Sequence, residues 1–170
     1  MVEPATNEDF DAIADLNVAA FAQFEPSLDP TSWQDMLKNL RNMDERARTT
    51  EFFVCRDGGK IVGSVGYCPA GKSNPNIFSA EMASVVLLVV HPQHRGNGMG
   101  KALTAACIAR ARQDNAGAIG LFTSELMQPA HHVYRKLGFQ LESELPPRYG
   151  IRYFRFVLPL GHMVHVSVTS

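Results

Sequence analysis

The run Met82–Val90 (MASVVLLVV) constrains the fold of this chain more than any other feature. It carries no charge, is rich in valine, and has the length and composition of a central strand buried on both faces. His91-Pro-Gln-His-Arg-Gly-Asn-Gly98 follows as a turn, and an alanine-rich stretch then reads as a helix from Gly98 to Gln113. A second apolar strand is predicted at Gly117–Thr123. Strand, helix and strand in this order predict one parallel βαβ unit in the middle of a mixed sheet.

The flanks supply the rest. Thr6-x-x-Asp9 has the pattern of a capping box and precedes Phe10, Ile13, Ala14 and Leu16 at helical spacing, so a helix is predicted over Asn7–Phe21. Met1–Ala5 is a stub that could form a short strand. After a loop, Asp29-Pro-Thr-Ser opens a second predicted helix, Ser32–Arg46, carrying Trp33, Met36, Leu37 and Leu40. Phe52–Cys55, the turn Asp57-Gly-Gly59 and Ile61–Tyr67 predict a hairpin. A short helix at Pro129–Leu137, closed by Gly138, precedes two last strands at Phe139–Leu145 and Arg152–Leu158. The expected fold is α/β (α+β), a single domain over residues 1–160, with residues 161–170 as a loose tail or one more edge strand.

Charge and cysteine content narrow the function classes. With 170 residues and a formal net charge of −1, the chain lacks the basic excess of a protein that relies on phosphate contacts, so no nucleic-acid partner is expected. The three cysteines, Cys55, Cys68 and Cys107, form no CxxC and read as buried or half-buried thiols in a reducing compartment. Val85–Val90, the longest apolar run, is too short to span a bilayer. MVEPATNEDF has no signal-peptide character, so the cytoplasm is the expected location. No metal is expected: His91 and His94 share a turn, His162 and His165 lie near the end, and neither pair has a cysteine or carboxylate to complete a site.

Arg95-Gly-Asn-Gly-Met-Gly100 between strand and helix is the candidate for chemistry. Glycines let a ligand approach the backbone, and the first amides of the helix lack acceptors and sit at the positive end of its dipole. That combination suits a pyrophosphate, although a tight turn can also need glycine only to pack. The spacing is G-x-G-x-G, not the G-x-G-x-x-G of a dinucleotide site. Gly66-Tyr-Cys-Pro-Ala-Gly71-Lys72-Ser73 satisfies a P-loop pattern, but Pro75 disfavours the helix such a loop must open. Gly58-Gly59 reads as a hairpin turn.

Val90–Leu103 resembles the acyl-CoA-binding motif of the GNAT acetyltransferases, with Arg95, Gly98 and Gly100 at the positions of [Q/R]-x-x-G-x-[G/A]. A second family segment is matched by Ala130, Tyr134, Lys136, Leu137, Gly138 and Phe139. The whole pattern from Thr6 to Leu158 is similar to this family. The resemblance implies a mostly antiparallel sheet with one parallel unit and helices on both faces, and transfer of an acetyl group from acetyl-CoA to an amine. It implies that amides of Arg95, Gly96, Asn97, Gly98, Met99, Gly100 and Lys101 hold the pyrophosphate, and that the pantetheine arm runs along Leu88 and Val90 where two central strands splay. Met127 stands where the family often has an asparagine.

For the chemistry, the resemblance places Tyr134 near the thioester sulfur as a proton donor, with a phenol that stays protonated near neutral pH. It assigns the Val90 amide to the thioester oxygen, and Glu81, at the start of the central strand, to base catalysis through water. Glu125 is the reserve base. The acceptor pocket is expected between the first two helices and the last hairpin, from Phe21, Phe24 and Trp33 on one side and Tyr149, Arg152 and Tyr153 on the other. Arg148 and Arg152 hint at an acceptor with a carboxylate or phosphate. A small-molecule amine is the expected partner, a protein acceptor or a non-catalytic acyl-CoA sensor being the alternatives. No membrane partner is expected, and a homodimer stays open.

Overall fold

The computed structural model describes residues 1–161. Strand β1 (Val2–Pro4) and a 3₁₀ turn lead into helix α1 (Phe10–Phe21), followed by α2 (Pro30–Arg41) and the single-turn α3 (Met43–Arg46). Strands β2 (Glu51–Asp57), β3 (Lys60–Cys68) and β4 (Met82–Val90) precede helix α4 (Met99–Gln113). Strand β5 (Ala118–Ser124), helix α5 (Gln128–Lys136) and the hairpin β6 (Gln140–Arg148) and β7 (Ile151–Pro159) complete the order. Residues 162–170, with the expected tail or edge strand and with His162 and His165, lie outside the described residues.

Local signals act where the sequence puts them. The Thr6 amide donates to Asp9 Oδ2 at 2.9 Å, and the Ser32 amide to Asp29 Oδ1 at 2.9 Å, capping the two helical entries. Gly58 and Gly59 both take positive φ (58° and 82°), as a two-residue hairpin loop requires. The second predicted helix differs: Asn42, at φ −81° and ψ 69°, breaks it into α2 and α3. The P-loop-like stretch runs from β3 into irregular turns and opens no helix.

Among the described residues seven strands form one sheet in the order β1-β2-β3-β4-β5-β7-β6, antiparallel except for β4 and β5. Helix α1 covers one face over Phe52, Val54, Ile61 and Val89, which pack with Ile13, Leu16 and Ala20. Helices α4 and α5 cover the other face through Leu103, Cys107 and Tyr134 against Val65, Tyr67, Val85, Ile119 and Phe156. All three cysteines are buried thiols, and burial pushes the Cys107 thiol up to about 12. Edge strand β6 carries Pro146 and Pro147, which withhold donors from any further strand.

Two irregularities in the centre matter most. Strand β4 pairs with β5 only at Met82–Ala118, Ala83–Ile119 and Ser84–Gly120, after which the two diverge. On its other side β4 bulges: Val65 stands opposite both Leu87 and Leu88, with Leu87 at φ 48°.

Candidate active site

The parting of β4 from β5 opens two adjoining cavities on the carboxyl side of the parallel pair, the side where open α/β sheets bind ligands. The first, of about 250 Å³, is lined by the end of β4, the turn Arg95–Lys101, Phe24 and the first turns of α5. The second, of about 270 Å³, lies between α2, the bulge of β4, the end of β5 and the tip of the β6–β7 hairpin. Phe21, Leu88 and Met127 line both, so the cavities meet there.

The turn has the backbone geometry that an anion site requires. Gly96 and Gly98 take φ of 84° and 81°, and a β-carbon added to either would meet nothing within 4 Å. The space above them is therefore open, and glycine is needed for its backbone angle. Gly98 ends the turn as the N-cap of α4, and the first backbone bond back to it comes from Ala102 at 3.0 Å. The Gly100 and Lys101 amides are left facing outward. Met99 is the exception, its amide donating to Asn97 Oδ1 at 3.2 Å. Gly100 begins α4 over β4, where an added β-carbon would meet Leu88 and Val90 side-chain carbons at 3.9 Å, in ordinary contact.

Arg95 is turned away from this cradle. Its Nε donates to the Val90 carbonyl at 3.2 Å, Nη1 to Gln23 Oε1 at 3.0 Å and Nη2 to the Ala20 carbonyl at 3.2 Å. The side chain thus ties the turn to β4 and to the end of α1. Next to it, the His91 amide donates to the Val62 carbonyl of β3 at 2.8 Å. Backbone groups alternate sides along a strand, so the N–H of Val90 points away from β3, into the gap beyond the last β5 pair.

Tyr134 comes up from α5 beneath the second cavity. Its ring is buried against Phe139 and Phe156, at centroid distances of 5.8 and 6.2 Å. Its hydroxyl makes no hydrogen bond to another described residue and opens to the cavity. Burial first, and Cys107 second, push its pKa up, so it holds its proton at any physiological pH. Tyr67, a comparably buried tyrosine, instead donates to Asp114 Oδ2 at 2.7 Å.

Not every expected residue arrives. Glu81 is exposed at the opposite end of β4 from Val90, separated from it by a whole strand, on the order of 30 Å at about 3.3 Å per residue. Among the described residues only its carbonyl has a partner, accepting from the Gly117 amide at 3.0 Å. The expectation of a base at Glu81 is corrected by that separation. Glu125 lies outside both cavities, its carboxylate accepting from the Arg152 amide at 3.4 Å. Arg152 also misses the pocket: alternation along β7 turns it out toward Glu144, with Nε to Oε1 at 2.7 Å. Trp33 is buried among Met36 and Leu40 behind the cavity wall, and Phe24 lines the turn-side cavity instead of the acceptor side.

Phe21, Tyr149 and Tyr153 do line the second cavity. Tyr149, at φ 54°, and Gly150, at φ 71°, form the two-residue turn that carries Tyr149 over the opening. The sequence reading missed Met36, Asn39 and Arg46, which the cavity adds from α2 and α3. Their helical spacing was available as a signal, but Arg46 reads as a surface residue until the break at Asn42 turns α3 inward. His94 Nε2 lies 3.0 Å from Asp57 Oδ2, and His91 Nδ1 accepts from the Gln93 amide at 3.2 Å, so each imidazole has a local partner. His131 is buried, with Nε2–H donating to the Ser124 carbonyl at 2.9 Å.

A parallel pair that splits beside a glycine turn at its carboxyl end is the arrangement that the sequence resemblance implies. The model of the acetyltransferase (GNAT) family matches residues 10–139, and this chain belongs to that family. It is 36% identical over 97 residues to N-acetyltransferase 8 of Rattus norvegicus, covering 57% of this chain and 42% of that protein. It is 31% identical over 137 residues to the mycothiol acetyltransferase of Saccharomonospora viridis, covering 78% of this chain and 43% of that protein. The chain thus spans less than half the length of either relative. Among solved structures, yncA of Salmonella typhimurium, determined with its cofactor acetyl-CoA, has the same fold, with a TM-score of 0.71, 17% identity and coverage of 96% and 95% of the two chains.

Proposed function

We propose that this chain is an acetyl-CoA-dependent N-acetyltransferase that acetylates a primary amine of a small molecule by direct attack in a ternary complex. Residues 1–160 act as one catalytic domain in the cytoplasm, with no metal, as a monomer or homodimer. The observation that carries this reading is the meeting of two cavities at Leu88, one ending in the glycine turn and the other above the Tyr134 hydroxyl.

In this reading the turn-side cavity takes the cosubstrate. Amides of Arg95–Lys101 face its pyrophosphate, that of Met99 only after release from Asn97, and Leu88 and Val90 flank the pantetheine arm. The acetyl group comes to the junction, where the Val90 N–H donates to the thioester oxygen. Phe21, Tyr149 and Tyr153 enclose the acceptor. Its neutral amine attacks the acetyl carbon, a C–N bond forms, and the C–S bond breaks with its electron pair leaving on sulfur. Tyr134 gives that sulfur a proton, and the proton the nitrogen releases as the amide forms restores the phenol through water. No Asp or Glu lines either cavity among the described residues, so the ammonium proton leaves to water.

A small cavity favours a small acceptor over a folded protein. The experiment is release of free CoA thiol from acetyl-CoA across a panel of amines, amino acids and peptides, with melting curves alongside. Acetyl-CoA at 100 times its dissociation constant adds about 2.7 kcal/mol of stability. For a chain of this size that is a rise of roughly 5–10 °C. Absence of both thiol release and a melting shift overturns the reading, and a shift with ATP in place of acetyl-CoA replaces it.

A further inference from the structure

The acceptor cavity carries a charge that acetyl transfer itself does not need. Arg46 from α3 and Arg148 from the tip of β6 both line it, and no Asp or Glu among the described residues does. Neither arginine pairs with a carboxylate among the described residues, whereas Arg41, Arg56, Arg110, Arg152 and Arg155 all do. Arg46 is held by Asn39, donating to its carbonyl and its side-chain oxygen, which fixes the guanidinium without neutralising it. Arg148 is held by rings alone, lying 5.5 Å from Phe122, 5.5 Å from Tyr149 and 5.9 Å from Tyr153.

The two cations also feel each other. Burial lowers the pKa of Arg46 first, the Tyr149 hydroxyl opposes this, and the charge of Arg148 lowers it further. Glu45, the carboxylate that acts on Arg46 from its own helix, is exposed and accepts from Asn42 Nδ2 at 2.9 Å. A cavity with this field repels a simple ammonium. It accepts an amine whose own negative group offsets the guanidiniums, and it then favours loss of the ammonium proton without a protein base.

We infer that the acceptor is an amine that also carries a carboxylate, seated on Arg46 and Arg148 with its nitrogen directed to the cavity junction at Leu88. This rests on the acetyl-transfer reading above. A planar carboxylate fits a guanidinium fork in two parallel hydrogen bonds, and Arg148, 5.5–5.9 Å from three aromatic ring centres and bonded to no carboxylate among the described residues, has its fork free for one.

The test uses matched probes. Each of several L-α-amino acids is compared with its primary amide and its decarboxylated amine for thiol release from acetyl-CoA, with phosphoethanolamine as a further arm. N-acetyl amino acids and their amides are titrated by calorimetry into the CoA-bound protein, which reads the pocket without turnover. The carboxylate members are expected to lead by at least about tenfold in kcat/KM and in affinity, as charge-assisted hydrogen bonds imply. Arg148→Gln and Arg46→Gln should each erase most of that lead by raising KM for the carboxylate member, whereas the amide's KM should not rise, since part of the repulsion on its ammonium is removed. Equal binding of acid and amide, retention of the preference in both variants, or preference for phosphoethanolamine overturns the inference. Carboxylate-selective binding with no turnover of any amine keeps the carboxylate seat on Arg46 and Arg148 and removes the acetyl-transfer reading.

Discussion

Val85 and Val89 lie on opposite faces of the sheet, although side chains four residues apart on a strand ordinarily share one. The cause is the bulge at Leu87, which inserts one residue and reverses the alternation. Before it, Ala83 and Val85 pack toward α4; after it, Leu88 and Val90 do, while Val89 turns to α1. In an unbulged strand Leu88 and Val90 would pack under α1, and Gly100 would lose the two side chains against which α4 begins. The bulge therefore sets both the floor of the turn-side cavity and the seat of the glycine turn.

That dependence predicts an asymmetry between two conservative substitutions. Leu87→Met keeps volume and an unbranched β-carbon, so it should change stability by less than about 1.5 kcal/mol. Leu87→Ile adds a branch at φ 48°, a conformation that branched residues resist, and should destabilise by about 1–3 kcal/mol. Chemical denaturation of both variants decides it, and equal stability would show that the backbone at Leu87 is unconstrained.

Arg95 should act as a strut for the turn. Arg95→Ala removes its bonds to Val90, Gln23 and Ala20 and should lower stability by about 1 kcal/mol and weaken acetyl-CoA binding. Arg95→Lys should recover little, because an ammonium cannot span three acceptors in a plane. Unchanged acetyl-CoA affinity in Arg95→Ala, measured by calorimetry, would remove Arg95 from the site.

Gly98 separates backbone strain from ligand charge. Nothing lies within 4 Å of an added β-carbon, so Gly98→Ala should suffer only from its φ of 81°, about 1–2 kcal/mol. Gly98→Asp, a residue that tolerates this backbone region, should fold comparably well. Its carboxylate would occupy the place of the pyrophosphate and abolish the melting shift with acetyl-CoA. A normal shift in the folded Asp variant would put the pyrophosphate elsewhere.

The legible parts of this molecule are those with a local cause. The valine-rich strand, the glycine turn and the alanine-rich helix stand within a residue or so of where the pattern places them, and Tyr134 comes to the cavity with them. The bulge was invisible because Met82–Val90 is apolar at nearly every position, which erases the period that would show a shift. Glu81 was misjudged because proximity in sequence to a central strand says nothing about which end of it faces the cofactor. Arg46 depended on the break at Asn42, and Arg152 on alternation in β7, both settled only by tertiary packing.

His131 predicts a pH dependence of stability. Burial pushes its imidazole pKa down, with Arg135 adding to this and the hydrogen bond to the Ser124 carbonyl opposing it. The folded value thus lies below the ordinary 6.5, so below pH 6.5 the unfolded chain binds this proton more readily than the folded one. The contribution to stability is complete above pH 6.5 and is lost as the pH falls toward the folded value. Denaturation at pH 7, 6 and 5 should show a steeper decline in the parent protein than in His131→Gln, and parallel declines would dismiss the imidazole as the cause.

Tyr134→Phe discriminates a proton donor from a packing residue. The ring contacts to Phe139 and Phe156 survive in the variant, and no protein hydrogen bond is lost, because the hydroxyl has no partner among the described residues. Stability should therefore stay within about 0.5 kcal/mol of the parent, and acetyl-CoA should bind with unchanged affinity. If the hydroxyl protonates the leaving sulfur, kcat should fall by about 10²-fold to 10⁴-fold, with little change in KM for the amine. The raised pKa of the buried phenol makes the parent's activity independent of Tyr134 ionisation across the neutral range, so no alkaline loss below pH 10 should trace to it. The comparison needs an acceptor that the protein turns over and conditions in which chemistry limits the rate. Full activity of the Phe variant under those conditions would leave water as the donor, and Tyr134 as a ring that closes the floor of the cavity.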